Sequence, residues 1–219
     1  MSFKNRSDAG QKLAARLANY KGQEPVLLAL PRGGVPVAAE VAAALGAPID
    51  LVLVRKIGVP SQPELAMGAI VDGDPPMTVR NEAVIRLARV NERGFLAVRD
   101  KEYAELERRR RLYLGGRNRI SVKDRVAIVI DDGIATGATA RAALRAIRTR
   151  QPKKLILAVP VGPPDTIEAM REEADEVHCL EIYEDFDAIG TFYDDFRQIT
   201  DREVIDILTR FAGPERSTS

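Results

Sequence analysis

VAIVIDDGIATGATA, residues 126 to 140, opens with a run of five apolar residues, Val126 to Ile130. The run is too short for a free-standing helix and lacks period-2 alternation, so it reads as a strand buried on both faces of a parallel sheet. Asp131 and Asp132 end the strand, where open α/β sheets bind their ligands. A loop with Gly133, Gly137 and two threonines follows, and a helix begins near Ala138 with Ala140, Leu144 and Ile147 on one face. Backbone NH groups of a small-residue loop at a helix N-terminus, aided by the hydroxyls of Thr136 and Thr139, form a cradle for a phosphate. One end of this loop therefore favours an anion, and the other offers two carboxylate acceptors.

A ligand that satisfies both halves carries a phosphate a few ångströms from a pair of hydroxyls, as a ribose 5-phosphate does. The stretch resembles the 5-phosphoribosyl diphosphate (PRPP) motif of type I phosphoribosyltransferases, in which apolar residues lead into two acids and a Thr-Gly-x-Thr loop. The resemblance implies that Asp131 and Asp132 hold the ribose hydroxyls and that Ala135, Thr136, Gly137, Ala138 and Thr139 hold the 5-phosphate, with Gly133 in the same loop. Walker-type and dinucleotide-type glycine spacings are both absent from the stretch.

Composition bounds the rest. The 219 residues suffice for one well-cored domain, and 45% hydrophobic content is that of an ordinary globular protein. Its 33 basic and 32 acidic residues nearly cancel, so bulk charge gives no case for a nucleic-acid or membrane partner. The single cysteine, Cys179, excludes an intrachain disulfide framework, and the single histidine, His178, excludes a His-rich metal cage. Both lie in a predicted core strand and read as packing residues. A reducing cytoplasm is the expected setting, since the N-terminal MSFKNRSDAG has no apolar h-region and no apolar run approaches the roughly 20 residues needed to cross a bilayer.

Working outward, residues 8 to 20 carry Leu13, Leu17 and Tyr20 at helical spacing, with Gly22 placed as a stop. Residues 25 to 30 form a second short apolar run that leads into Pro31-Arg32-Gly33-Gly34 and a helix opened by Pro36 and closed by Gly46. Residues 49 to 54 supply the next strand, which ends on Arg55 and Lys56, so the segment has the spacing of a βαβ unit. Gly58, Pro60 and Pro63 then predict an exposed, mobile loop reaching Gly68. Short strands are expected between 69 and 79 around a turn at 72 to 76, and mainly helix from 81 to 114 with a break near 90 to 94. Arg108 to Arg111 lie within that helix; consecutive helical residues point in different directions and glutamates are near, so they form no basic face. Strands at 154 to 162 and 176 to 182 flank a helix opened by Asp165. Asp201 is read as the cap of a closing helix, and residues 213 to 219 as a disordered tail.

The expected architecture is a single α/β domain over residues 1 to 212. A mainly parallel five-stranded sheet, flanked by helices, occupies about 24 to 182. A small hood is drawn from the N-terminal helix and residues 183 to 200. In transfer from PRPP, diphosphate leaves ribose C1 as a nitrogen nucleophile arrives, and the charge of the leaving group must be stabilised. Arg32 suits that role together with Pro31 and the NH groups of Gly33 and Gly34. The resemblance extends to this loop, where the peptide preceding the position of Arg32 is often cis in the family. Arg55 and Lys56 resemble the basic pair that some members place beside the diphosphate, giving a catalytic set of Arg32, Arg55, Lys56, Asp131 and Asp132. Magnesium is implied by the diphosphate rather than by protein ligands.

The segments PRGGVPVA, RKIG, PELAMGA, DDGIATGAT and FDAIGTFYDDF together resemble phosphoribosyltransferases without an assigned acceptor. In those acting on 6-oxopurines, an aspartate touching the base precedes the Thr-Gly of the loop; here that residue is Ala135, which argues for a different base or a small amine. Phe192 or Tyr193 is the candidate stacking surface for a flat acceptor. A homodimer is also expected. A PRPP-sensing regulator without turnover is the alternative function. A response domain using the acidic pair for magnesium would leave residues 136 to 139 unexplained.

Overall fold

The runs read as buried strands form the centre of a computed structural model that describes residues 3–73 and 75–213. Strands β1 (Val26–Ala29), β2 (Ile49–Leu51), β6 (Val126–Ile130), β7 (Lys154–Gly162) and β8 (Glu176–Ile182) make a parallel sheet in the order β2-β1-β6-β7-β8. The remaining strands, β3 (Val54–Val59), β4 (Gln62–Val71) and β5 (Met77–Arg80), make a separate antiparallel sheet of three.

Alternate residues of the central strands serve two cores. Leu27, Ala29, Ile128, Ile130, Ile156 and Ala158 pack with helices α1 (Arg6–Arg16) and α2 (Gly34–Leu45). Val26, Leu28, Ala127, Val129, Leu155 and Leu157 pack with α5 (Ala138–Arg148) and α6 (Pro164–Met170) on the other face. Burial on both faces is why these strands read as continuous apolar runs. From β1 the chain passes through α2 to β2 on one side, whereas β6 leads through α5 to β7 on the other. The crossovers from β1 and β6 thus leave in opposite directions at the point where strand order reverses, the place where open α/β sheets bind their ligands.

Several expectations are corrected. The segment 49 to 54 is not one strand: β2 stops at Leu51, and Val54 begins the second sheet. The predicted mobile loop of 55 to 68 is instead the β3-β4 hairpin, with Ile57, Val59 and Met67 buried. Its register shifts around Gly58, where a β-carbon would lie 2.3 Å from the carbonyl oxygen of Pro63. Helical structure from 82 to 114 divides into α3 (Glu82–Leu87) and α4 (Glu92–Leu114), and each is opened by an asparagine cap, Asn81 and Asn91. Arg108 and Arg109 pair with Glu105, and Arg110 with Glu107. The closing helix α7 (Asp201–Arg210) is capped by Thr200 rather than Asp201, through a reciprocal capping box with Glu203. Of the tail, residues 214 to 219 lie outside the described residues.

The N-terminal segment and the residues after β8 meet at the carboxyl end of the sheet. The Phe3 amide donates to the Phe192 carbonyl at 3.1 Å, and the Asp194 amide to the Phe3 carbonyl at 2.9 Å. Phe3, Ala9, Val161 and Tyr193 form a small core joined by Tyr183, Phe186, Ile189, Phe192 and Phe196. Tyr20, Lys154 and His178 gather around Glu176, whose carboxyl is held down to about 2 by Lys154 and the Tyr20 hydroxyl. Burial raises the Cys179 thiol to about 11, which fits its reading as a packing residue. Among the described residues no helix is long and apolar enough to cross a membrane.

Candidate active site

The loop after β6 is shaped by two glycines with positive φ. At Gly137, the N-cap of α5, φ is +70°, and a β-carbon would meet the Thr166 methyl at 2.8 Å and Met170 Cε at 3.1 Å. At Gly133, a β-carbon would lie 2.7 Å from Ile189 Cγ2. Thr166 also steadies the loop, since its hydroxyl donates to the Ala135 carbonyl at 2.7 Å. Ala135, Thr136, Ala138 and Thr139 remain exposed around the first turn of α5. The first amides of a helix have no intrahelical acceptors, so this turn offers donors and hydroxyls to an anion.

Asp131 and Asp132 sit side by side at the end of β6, and the Asp132 amide donates to Asp131 Oδ1 at 2.9 Å. Burial, then the charge of Asp132, raises the Asp131 carboxyl well above the usual carboxylate range. The loop after β1 closes from the other side, with a cis peptide between Pro31 and Arg32. A β-carbon at Gly33 would lie 2.0 Å from Asp132 Oδ2, and one at Gly34 would lie 2.5 Å from the Ile130 carbonyl oxygen. Only glycines permit this approach of the two loops.

The basic residues are placed less simply. Arg32 Nη1 lies 3.6 Å from Asp201 Oδ1 at the start of α7. Arg55 donates through Nε to Glu102 of α4 at 2.8 Å, yet it also lines a small cavity with Pro31 and Thr139, so it reaches the border of both site loops. Lys56, its neighbour on β3, is exposed and pairs with Glu64 at 3.1 Å. Phe192 is stacked on Tyr183 with ring centroids 4.7 Å apart. Tyr193 is only 3% exposed, packs against Phe3 and Phe196, and donates its hydroxyl to the Asp132 carbonyl at 2.6 Å. The expectation of an open stacking face at Tyr193 is corrected accordingly: the ring is part of the small core with Phe3, and its hydroxyl holds the Asp132 carbonyl.

Sequence reading missed Arg6. Its Nε donates to Asp132 Oδ2 at 2.7 Å, across 126 positions of sequence. Nothing local marks this residue, although the buried carboxylate of Asp132, with Asp131 beside it, calls for a neighbouring cation.

Residues 3–197 match the phosphoribosyl transferase domain family, and the chain belongs to that family. Curated proteins from two strains of Mycobacterium tuberculosis, each provisionally named a phosphoribosyl transferase, are 48% identical over 208 residues. These alignments cover 95% of this chain but 46% of each relative, so the chain spans about half the length of the curated relatives it matches. The crystal structure of TT1426 from Thermus thermophilus superposes with a TM-score of 0.82 at 39% identity, covering 97% of this chain and 100% of that one. The five-stranded parallel sheet with helices on both faces and a separate small antiparallel sheet is the type I phosphoribosyltransferase fold.

Proposed function

We propose that this chain moves the 5-phosphoribosyl group of PRPP to a nitrogen acceptor, with magnesium and with release of diphosphate. The observation that carries this reading is the loop from Asp131 to Thr139. It sets two carboxylates and the open first turn of α5 at opposite ends of one loop, at the reversal of strand order. The 5-phosphate would lie on the amides of Gly137, Ala138 and Thr139 and the hydroxyls of Thr136 and Thr139. Asp131 and Asp132 would accept from the ribose hydroxyls. Diphosphate would then extend toward the loop of Pro31 to Gly34, whose glycines let backbone amides come close, and toward Arg55 at the shared border.

Among the described residues no group of three or more acidic, histidine or cysteine side chains could hold a metal. Two carboxylates, one already bound by Arg6, fit an ion that keeps waters and takes its remaining ligands from the diphosphate, with no direct protein ligand assigned. Magnesium bound there would offset charge on the leaving diphosphate. The acceptor is a base or small amine; Phe192, in its stack with Tyr183, is the candidate surface for a flat one. Ala135 has no group to exchange a proton with a purine imidazole nitrogen, which argues against hypoxanthine, guanine and xanthine.

One observation favours a second reading, a PRPP sensor without turnover. Arg32, Arg55 and Lys56, assigned to the diphosphate, are each engaged by a carboxylate: Asp201, Glu102 and Glu64. For transfer, Arg32 or Arg55 must exchange that partner for phosphate oxygens. Calorimetry of Mg-PRPP against ribose 5-phosphate tests the placement. Tighter binding of PRPP, lost in Arg55→Ala, supports the diphosphate assignment; equal affinity for both ligands contradicts it.

A further inference from the structure

We propose that Arg6 is a positioning residue of the ribose site, fixing the Asp132 carboxylate and coupling it to the hood. The inference rests on the reading of Asp132 as a ribose acceptor. Arg6 is only 8% exposed, and its guanidinium is used on three sides. Nε donates to Asp132 Oδ2 at 2.7 Å, and Nη1 donates to the Arg197 carbonyl at 2.8 Å. The guanidinium carbon lies 3.8 Å from the centroid of the Phe196 ring. Phe196 in turn packs on Tyr193, whose hydroxyl donates to the backbone carbonyl of the same Asp132. Asp132 is therefore gripped at its carboxylate and at its carbonyl by one connected set of side chains.

The geometry gives Arg6 two separable effects. Its charge offsets one of two adjacent carboxylates, which otherwise repel each other where water reaches little of Asp132. Its planar fork also directs Nε and Nη1 to different partners, so that the orientation of Asp132 and the seating of residues 196 and 197 are set together. Lysine, a point charge without a fork, reproduces the first effect and not the second. Ligation of ribose hydroxyls at Asp132 is then felt in the hood, the part of the molecule assigned to the acceptor. A cavity of about 420 Å³ beside Arg6, lined also by Arg197, Ile199 and Glu203, leaves room for that segment to shift.

The test compares wild type, Arg6→Gln and Arg6→Lys with two probes, ribose 5-phosphate and inorganic phosphate. Calorimetry gives the affinities, and hydrogen exchange follows residues 189 to 198. Inorganic phosphate needs only the loop at α5 and reports an intact fold. In wild type, ribose 5-phosphate should slow exchange in the hood. Arg6→Gln should weaken ribose 5-phosphate about tenfold or more while leaving phosphate affinity unchanged. Arg6→Lys should recover most of that affinity but not the slowed exchange. Unchanged ribose 5-phosphate affinity in Arg6→Gln would overturn the inference while leaving the ribose site in place, as would a parallel loss for both probes. A wild-type chain that binds phosphate but gains nothing from the ribose would remove the ribose assignment itself.

Discussion

Replacing Gly137 by alanine separates backbone strain from loss of the phosphate cradle, because Gly46 supplies an internal control. The two glycines have nearly the same left-handed backbone, φ +70° and +66°. Alanine in that region costs about 1–2 kcal/mol. At Gly46, the C-cap of α2, nothing lies within 4 Å of the new β-carbon, so that cost is the whole effect. At Gly137 the β-carbon comes to 2.8 Å from the Thr166 methyl. Turning Thr166 aside also moves its hydroxyl from the Ala135 carbonyl, forfeiting a hydrogen bond of about 1 kcal/mol. Gly137→Ala should therefore cost about 2–3 kcal/mol in urea denaturation, against about 1–2 for Gly46→Ala. It should also weaken ribose 5-phosphate in calorimetry, which Gly46→Ala leaves unchanged. Equal destabilisation by the two variants, with ribose 5-phosphate affinity intact in both, would refute the reasoning about the loop.

Further outcomes follow from other parts of the site. Asp131→Asn with Asp132→Asn should lower PRPP affinity by about 1.5–3 kcal/mol for each charged hydrogen bond lost, measured by calorimetry, with circular dichroism unchanged. Arg32→Ala should reduce turnover while changing the free energy of unfolding by less than about 1 kcal/mol, since its pair with Asp201 at 3.6 Å is half-exposed; equal losses of PRPP and ribose 5-phosphate binding would show that the residue acts through folding. The Glu176 carboxyl is lowered in the folded state from 4.5 to about 2, so its stabilising share is present above pH 4.5 and lost as pH falls toward 2. The melting-temperature gap between wild type and Glu176→Gln should shrink over that window and stay level above it.

Much of the frame was legible because burial leaves a one-dimensional trace. The runs at 126 to 130 and 155 to 161 are apolar at consecutive positions, and both faces of their strands meet helices. The Thr-Gly-x-Thr loop was legible because its glycine is required by a positive φ and by Thr166 and Met170 overhead. The β3-β4 hairpin was hidden for the opposite reason. Gly58, Pro60 and Pro63 are ordinary loop signals, and the register shift near Gly58 breaks the alternation that would have marked a strand. Arg6 was hidden by distance, being one of several cations in a polar segment, with its partner 126 positions away. The carboxylate partners of Arg32 and Arg55 are likewise remote, at Asp201 and Glu102, so pairing could not be read from the loops that carry the arginines.

The central claim is transfer, and phosphorus NMR of the chain with Mg-PRPP tests it most directly, first alone and then with a panel of bases and amines that includes hypoxanthine, guanine and xanthine. Diphosphate should appear together with a new phosphoribosyl resonance for at least one nitrogen acceptor outside the three oxopurines, and should fail to appear with Asp131→Asn/Asp132→Asn. Efficient conversion of an oxopurine would contradict the weight placed on Ala135. PRPP that binds yet remains intact across the whole panel would contradict transfer and leave the sensing reading in its place.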